Sequence, residues 1–194
     1  MSTGMAELKE ISDAIASLEG AGLPKDKITL LHCTTEYPAP IDEVNLRAMR
    51  AMGDMFGLPV GYSDHTEGID VAIAAVAIGA SVIEKHFTLD KNLPGPDHSA
   101  SLEPEALKAM VEGIRRIECA LGSAQKQRTA SERKNVQLVR KSIVAARAIS
   151  ADEVFSEENL TVKRPAIGLS PMLWDGVIGK RASRSFMPDE VIEL

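Results

Sequence analysis

Two short segments, Gly61-Tyr62-Ser63-Asp64-His65-Thr66 and Glu84-Lys85-His86-Phe87-Thr88, each place a histidine just beyond an apolar run that reads as a buried strand. In a parallel α/β barrel the C-terminal ends of the strands are where chemistry is done. Side chains two apart on a strand share a face, so Ser63 goes with His65 and Glu84 goes with His86. On neighbouring strands the two imidazoles would converge and could hold a divalent metal. The plainer alternative is that each histidine simply packs at the end of its strand.

The elements that must position these residues follow an alternating rhythm. From Ala6 to about Glu19, Leu8, Ile11, Ile15 and Leu18 recur at helical spacing. Residues 28–33 then read as a strand, and a loop with Pro38 and Pro40 follows. Asp42 is placed to cap a helix that runs to about Phe56. Val60-Gly61-Tyr62 is the next strand, residues 69–79 form an alanine-rich buried helix, and Ser81 to Glu84 is a third strand. A loop with Pro94, Gly95 and Pro96 leads to a helix from about Pro104 to Leu121.

This order is that of a parallel sheet or barrel with crossover helices. Three strands leave two open edges that need covering. Residues 1–122 are therefore read as one domain and the polar, basic stretch 123–137 as a linker. In residues 138–194 the pattern becomes short strands, Ser142 to Ala145 and Leu160 to Lys163, separated by acidic turns. This second domain is small enough to need a docking partner.

Composition narrows the function classes. The chain has 194 residues, 44% hydrophobic and 26% charged, with a formal net charge of −6, an ordinary globular profile. An acidic balance argues against nucleic acid as a partner. No apolar stretch approaches the roughly 20 residues of a membrane span, and the N-terminus lacks signal-peptide character. Cys33 and Cys119 read as two reduced thiols. A cytoplasmic location without membrane contact is the expectation.

Five segments carry a resemblance: Thr3-Gly4-Met5, His32-Cys33-Thr34-Thr35-Glu36-Tyr37-Pro38, Gly61 to Thr66, Glu84 to Thr88, and Pro94-Gly95-Pro96-Asp97-His98. In this order and at this spacing the chain resembles the latter half of sialic acid synthases. Arg140-Lys141-Ser142-Ile143-Val144 and Val162-Lys163-Arg164-Pro165 resemble the antifreeze-like, or SAF, domain that ends those enzymes. The resemblance implies a partial (β/α)8 TIM barrel with strands 6–8 present and strands 1–5 absent, followed by a small β-rich SAF domain. It implies condensation of phosphoenolpyruvate with N-acetylmannosamine to give N-acetylneuraminate and phosphate. A divalent cation, Mn2+ or Mg2+, and a domain-swapped homodimer come with it. A segment lacking five barrel strands is expected to be inactive by itself.

Carried over residue by residue, the resemblance makes His65 and His86 metal ligands and gives Asp97 a water-mediated place beside the metal. Glu84 becomes an acid or base at the reacting centre. Ser63 and Ser2 become phosphate contacts, Tyr37 lines the sugar pocket, and Arg164 reaches into the partner subunit's barrel to touch the sugar's N-acyl group. Thr35 stands where the N-acetylneuraminate-forming enzymes often have asparagine, which suits a less polar sugar. The runner-up is therefore an N,N'-diacetyllegionaminate synthase acting on a 2,4-diacetamido-trideoxymannose. A non-catalytic carbohydrate-binding or interaction module, and another phosphoenolpyruvate-dependent aldol synthase, are further alternatives. Lys85 alternates to the other face and is read as structural.

Overall fold

The computed structural model describes residues 1–194, which divide into two compact units, Met1–Ser123 and Ala124–Leu194. In the first, a parallel sheet holds β1 (Leu30–Cys33), β2 (Val60–Asp64) and β3 (Ile83–Lys85) in sequence order. Leu30 pairs with Val60 and Ser63 with Glu84. The crossovers are α2 (Leu46–Phe56) and α3 (Asp70–Ala77), with α1 (Leu8–Gly20) before the sheet and α4 (Pro104–Leu121) after it. The architecture is α/β with parallel strands.

The helices form where local chemistry favours them. Glu7 and Glu10 make a reciprocal capping box at the start of α1, and Ile11 and Ile15, four apart, bury its inner face. Met49 and Met52 do the same for α2. Pro104 opens α4 at its first position, where the missing N–H costs nothing. The α3 and α4 helices approach so closely that a Cβ on Gly113 would lie 2.6 Å from Ile73 Cδ1. The core is a continuous cluster of Ile11, Ile15, Leu30, Met49, Val60, Tyr62 and Ala75 between helices and sheet.

Asp42 does not cap α2. Residues Ile41–Glu43 form a short 3-10 turn, and Asn45, in the left-handed region at φ 49°, stands at the cap position with its amide turned back to the Glu43 carbonyl. One sheet edge is also less open than three strands would leave it. Leu31 N–H donates to the Met1 carbonyl and Thr3 N–H to the Leu31 carbonyl, at 2.8 and 3.0 Å, so Met1 to Thr3 run parallel beside β1.

In the second unit β4 (Ser142–Ala145) and β5 (Leu160–Lys163) pair antiparallel, with the bounds expected from sequence. Ile143, Phe155, Leu160, Val177, Phe186 and Ile192 form its core, with the short helix α6 (Trp174–Val177) packed on it. The stretch read as a linker, 123–137, is corrected in part: α5 (Ala130–Val139) occupies its latter half. A capping box between Thr129 and Glu132 starts that helix. Its polar composition hid it.

Candidate active site

The pairing of β2 with β3 brings Ser63 opposite Glu84 and Asp64 opposite Lys85, and the histidines just beyond come together. The His65 and His86 ring centroids lie 5.3 Å apart with planes at 81°. Two imidazoles bound through nitrogens about 2.1 Å from one ion have centroids roughly this far apart. Tyr37 completes the group, its ring 4.2 Å from His86 and 5.3 Å from His65. The loop after β1 reaches that position because Ala39 N–H donates to the His65 carbonyl at 2.8 Å.

The tautomers follow from the partners. His65 Nδ1 lies 2.9 Å from the Thr34 carbonyl, which can only accept, so Nδ1 carries the proton and Nε2 keeps its lone pair. His86 Nδ1 faces the Asp97 carboxylate at 3.7 Å, beyond hydrogen-bond length but within ion-pair range. Both Nδ1 atoms thus face acceptors, the usual second-shell arrangement of metal-binding imidazoles. No three His, Cys, Asp or Glu side chains gather into a metal cage. A cation here would take two nitrogen ligands from this chain.

Ser63 and Glu84 bond to each other, with Ser63 Oγ donating to Glu84 Oε1 at 2.6 Å. Glu84 is exposed and pairs with no lysine. On the same face, a Cβ at Gly61 would lie 2.6 Å from both Leu31 Cδ2 and the Val82 carbonyl, so only glycine fits below Ser63. Burial raises the Tyr37 phenol above its ordinary value; the Ser101 hydrogen bond opposes this and the Asp97 and Asp64 charges add to it. The phenol is therefore a proton donor at neutral pH.

On the other face Lys85 Nζ lies 2.8 Å from Asp64 Oδ2, the side chains 3% and 0% exposed. Lys85 also donates to the Thr66 carbonyl at 2.6 Å, and Asp64 Oδ1 accepts from Thr66 N–H and Thr66 Oγ1. This closed network joins the two strands one residue before the histidines.

Tyr37, His65, His86 and Asp97 are thus brought together, and Ser63 and Glu84 form a pair beside them. Ser2 lies at the edge of the sheet against Leu31, and Thr35 is exposed close to Gly4. Neither makes a hydrogen bond to the ring cluster. Arg164 belongs to the second unit, exposed just beyond β5. Sequence reasoning missed Thr34, Asp64, Thr66 and Ser101. Only the Asp64-His65-Thr66 spacing, typical of an Asx turn, carried any local sign.

The first unit carries a histidine pair and a carboxylate beyond the C-terminal ends of parallel strands, the place where open α/β sheets bind ligands. The chain belongs to the NeuB family, whose model matches residues 1–126; the SAF domain model matches 140–194. It is 56% identical over 192 residues to the N,N'-diacetyllegionaminic acid synthase of Campylobacter jejuni, covering 99% of this chain and 58% of that protein. With the synthase of the same name from Legionella pneumophila it shares 47% identity over 94% of this chain and 52% of that one. The crystal structure of N-acetylneuraminic acid (sialic acid) synthetase from Leptospira borgpetersenii superposes with a TM-score of 0.62 at 37% identity, covering 70% of this chain and 46% of that one. The chain spans about half the length of the relatives it matches.

Proposed function

We propose that this chain supplies strands 6–8 of a (β/α)8 synthase barrel together with an SAF domain. The complete enzyme condenses phosphoenolpyruvate with an N-acylated mannosamine-type sugar to give a nine-carbon keto acid and phosphate. The observation that carries this reading is the convergence of Tyr37, His65 and His86, with both Nδ1 atoms turned to acceptors. Two imidazoles with a carboxylate nearby can hold a divalent cation, Mn2+ or Mg2+, whose other positions are left to water and substrate oxygens. Held by His65 and His86, the ion would act as a Lewis acid toward the sugar's carbonyl oxygen.

This chain's own groups have distinct tasks in that reaction. Glu84, which receives the Ser63 hydrogen bond, serves as the acid or base at the reacting centre. Ser63 and Ser2 offer hydroxyls to phosphate oxygens, while Tyr37 and Thr35 face the sugar. Arg164, a planar fork of donors, serves the N-acyl group from the SAF domain of a partner in a domain-swapped homodimer. A cavity of about 280 Å3 lies beside His86, Asp97 and Ser101.

Among candidate sugars, the 2,4-diacetamido-trideoxymannose is favoured over N-acetylmannosamine. The two legionaminic acid synthases share 56% and 47% identity with this chain, against 37% for the sialic acid synthetase, and the methyl-bearing Thr35 suits the less polar substrate. The test is Mn2+ titration of the 194-residue chain, following free Mn2+ by electron paramagnetic resonance. One ion binds, and His65→Ala or His86→Ala weakens it at least tenfold. Unchanged binding in both variants refutes the assignment. A non-catalytic interaction module has no reason to bind the ion at all.

A further inference from the structure

We infer that Ser101 is a positioning residue of this site: its buried hydroxyl joins Tyr37 to the Asp97 backbone and so sets where the Asp97 carboxylate stands beside His86. The inference rests on the reading of His65 and His86 as metal ligands. Ser101 is 3% exposed. Its single hydroxyl proton goes to the Asp97 carbonyl at 2.7 Å, and its backbone N–H reaches the same oxygen at 3.1 Å. The Tyr37 hydroxyl, 3.2 Å from Ser101 Oγ, must then be the donor in that contact. A bond from Ser101 to Asp97 alone would be an ordinary local turn. The contact to Tyr37 spans 64 residues of sequence and is not local.

The carboxylate of Asp97 has only His86 as a partner, 3.7 Å away, and is 58% exposed. No hydrogen bond to the side chain fixes it, so its place depends on its backbone, and Ser101 is the side chain that bonds that backbone. The next residue locks the turn to the histidine. Leu102 N–H donates to the His86 carbonyl and Thr88 N–H to the Leu102 carbonyl, both at 2.9 Å. Thr88 Oγ1 meets His98 Nδ1 at 2.7 Å and holds the turn's other side. Residues 97–101 thus form a hydrogen-bonded bracket across the end of β3, with Ser101 where the bracket meets the tyrosine whose ring lies 4.2 Å from that of His86, tilted by 34°.

Mn2+ titration of the full 194-residue chain without sugar tests this, with melting temperatures measured in parallel. Ser101→Ala is expected to weaken Mn2+ about tenfold, the lower end of second-shell effects, and Ser101→Thr, which keeps the hydroxyl, to retain most of the affinity. Unchanged affinity in Ser101→Ala overturns the inference. So does an equal loss in both variants that follows a lowered melting temperature, because that marks packing alone. A wild-type chain that holds no Mn2+ overturns the metal reading and this inference with it, a failure told apart because it precedes any substitution at Ser101.

Discussion

Lys85→Met is the most demanding perturbation of the first unit, because it removes one charge from a pair with almost no access to water. The Lys85 and Asp64 side chains are 3% and 0% exposed and 2.8 Å apart. After the substitution Asp64 Oδ1 keeps its two donors from Thr66, but Oδ2 has none. Removing one partner of a buried ion pair costs about 3–5 kcal/mol, far more than the pair's net contribution, since a desolvated charge is left behind. With a urea m-value of about 1.5 kcal/mol/M, a loss of that size lowers the unfolding midpoint by roughly 2–3 M. The two units have separate reporters. Trp174, the single tryptophan, packs on the core of the second unit, while most of the helix lies in the first. Far-UV circular dichroism should therefore show the large shift and tryptophan fluorescence should not. Adding Asp64→Asn removes the second charge, so the double variant should lose clearly less than the sum of the two single losses. A midpoint within about 0.5 M of wild type for Lys85→Met, under 1 kcal/mol at that m-value, would refute the claim that this network fastens β2 to β3.

In the second unit, Ser142 is fully buried and its hydroxyl donates to the Pro165 carbonyl while accepting from Ile167 and Gly168 N–H. Ser142→Ala leaves those groups unpaired; it should cost about 2–3 kcal/mol by tryptophan fluorescence and speed amide exchange at 167 and 168, and unaltered exchange would show that the serine does not hold the loop after Arg164. Glu153 has its carboxyl held down to about 2 by the Ser150 N–H, with Arg147 and Asn159 adding to it. Because the folded value lies below the unfolded one of about 4.3, the stabilisation is complete above that value and is lost as pH falls through about 2. The gap in melting temperature between wild type and Glu153→Gln should accordingly narrow between about pH 4.5 and 2, and a gap independent of pH would contradict the assignment.

What could be read from the sequence separates cleanly from what could not. β4 and β5 were legible to the residue because each is a short apolar run closed by turn residues, a signal contained within four or five positions. His65 and His86 were legible for the same reason: the strand, its end and the imidazole are all local. α5 was missed although Thr129-x-x-Glu132 is a capping signature, because a helix without a buried face leaves no hydrophobic period to notice. Asp64, Thr34 and Ser101 were illegible for a deeper reason. Asp64 finds Lys85 only through the register of two strands, Thr34 finds His65 across 31 positions, and Ser101 finds Tyr37 across 64. Register and chain return are global properties that no window of residues contains. His65 and His86 announce themselves locally, whereas the groups that orient them depend on the whole fold. Substitutions at the second group should therefore act by displacing the first, which is why metal affinity, measured beside stability, separates the two roles.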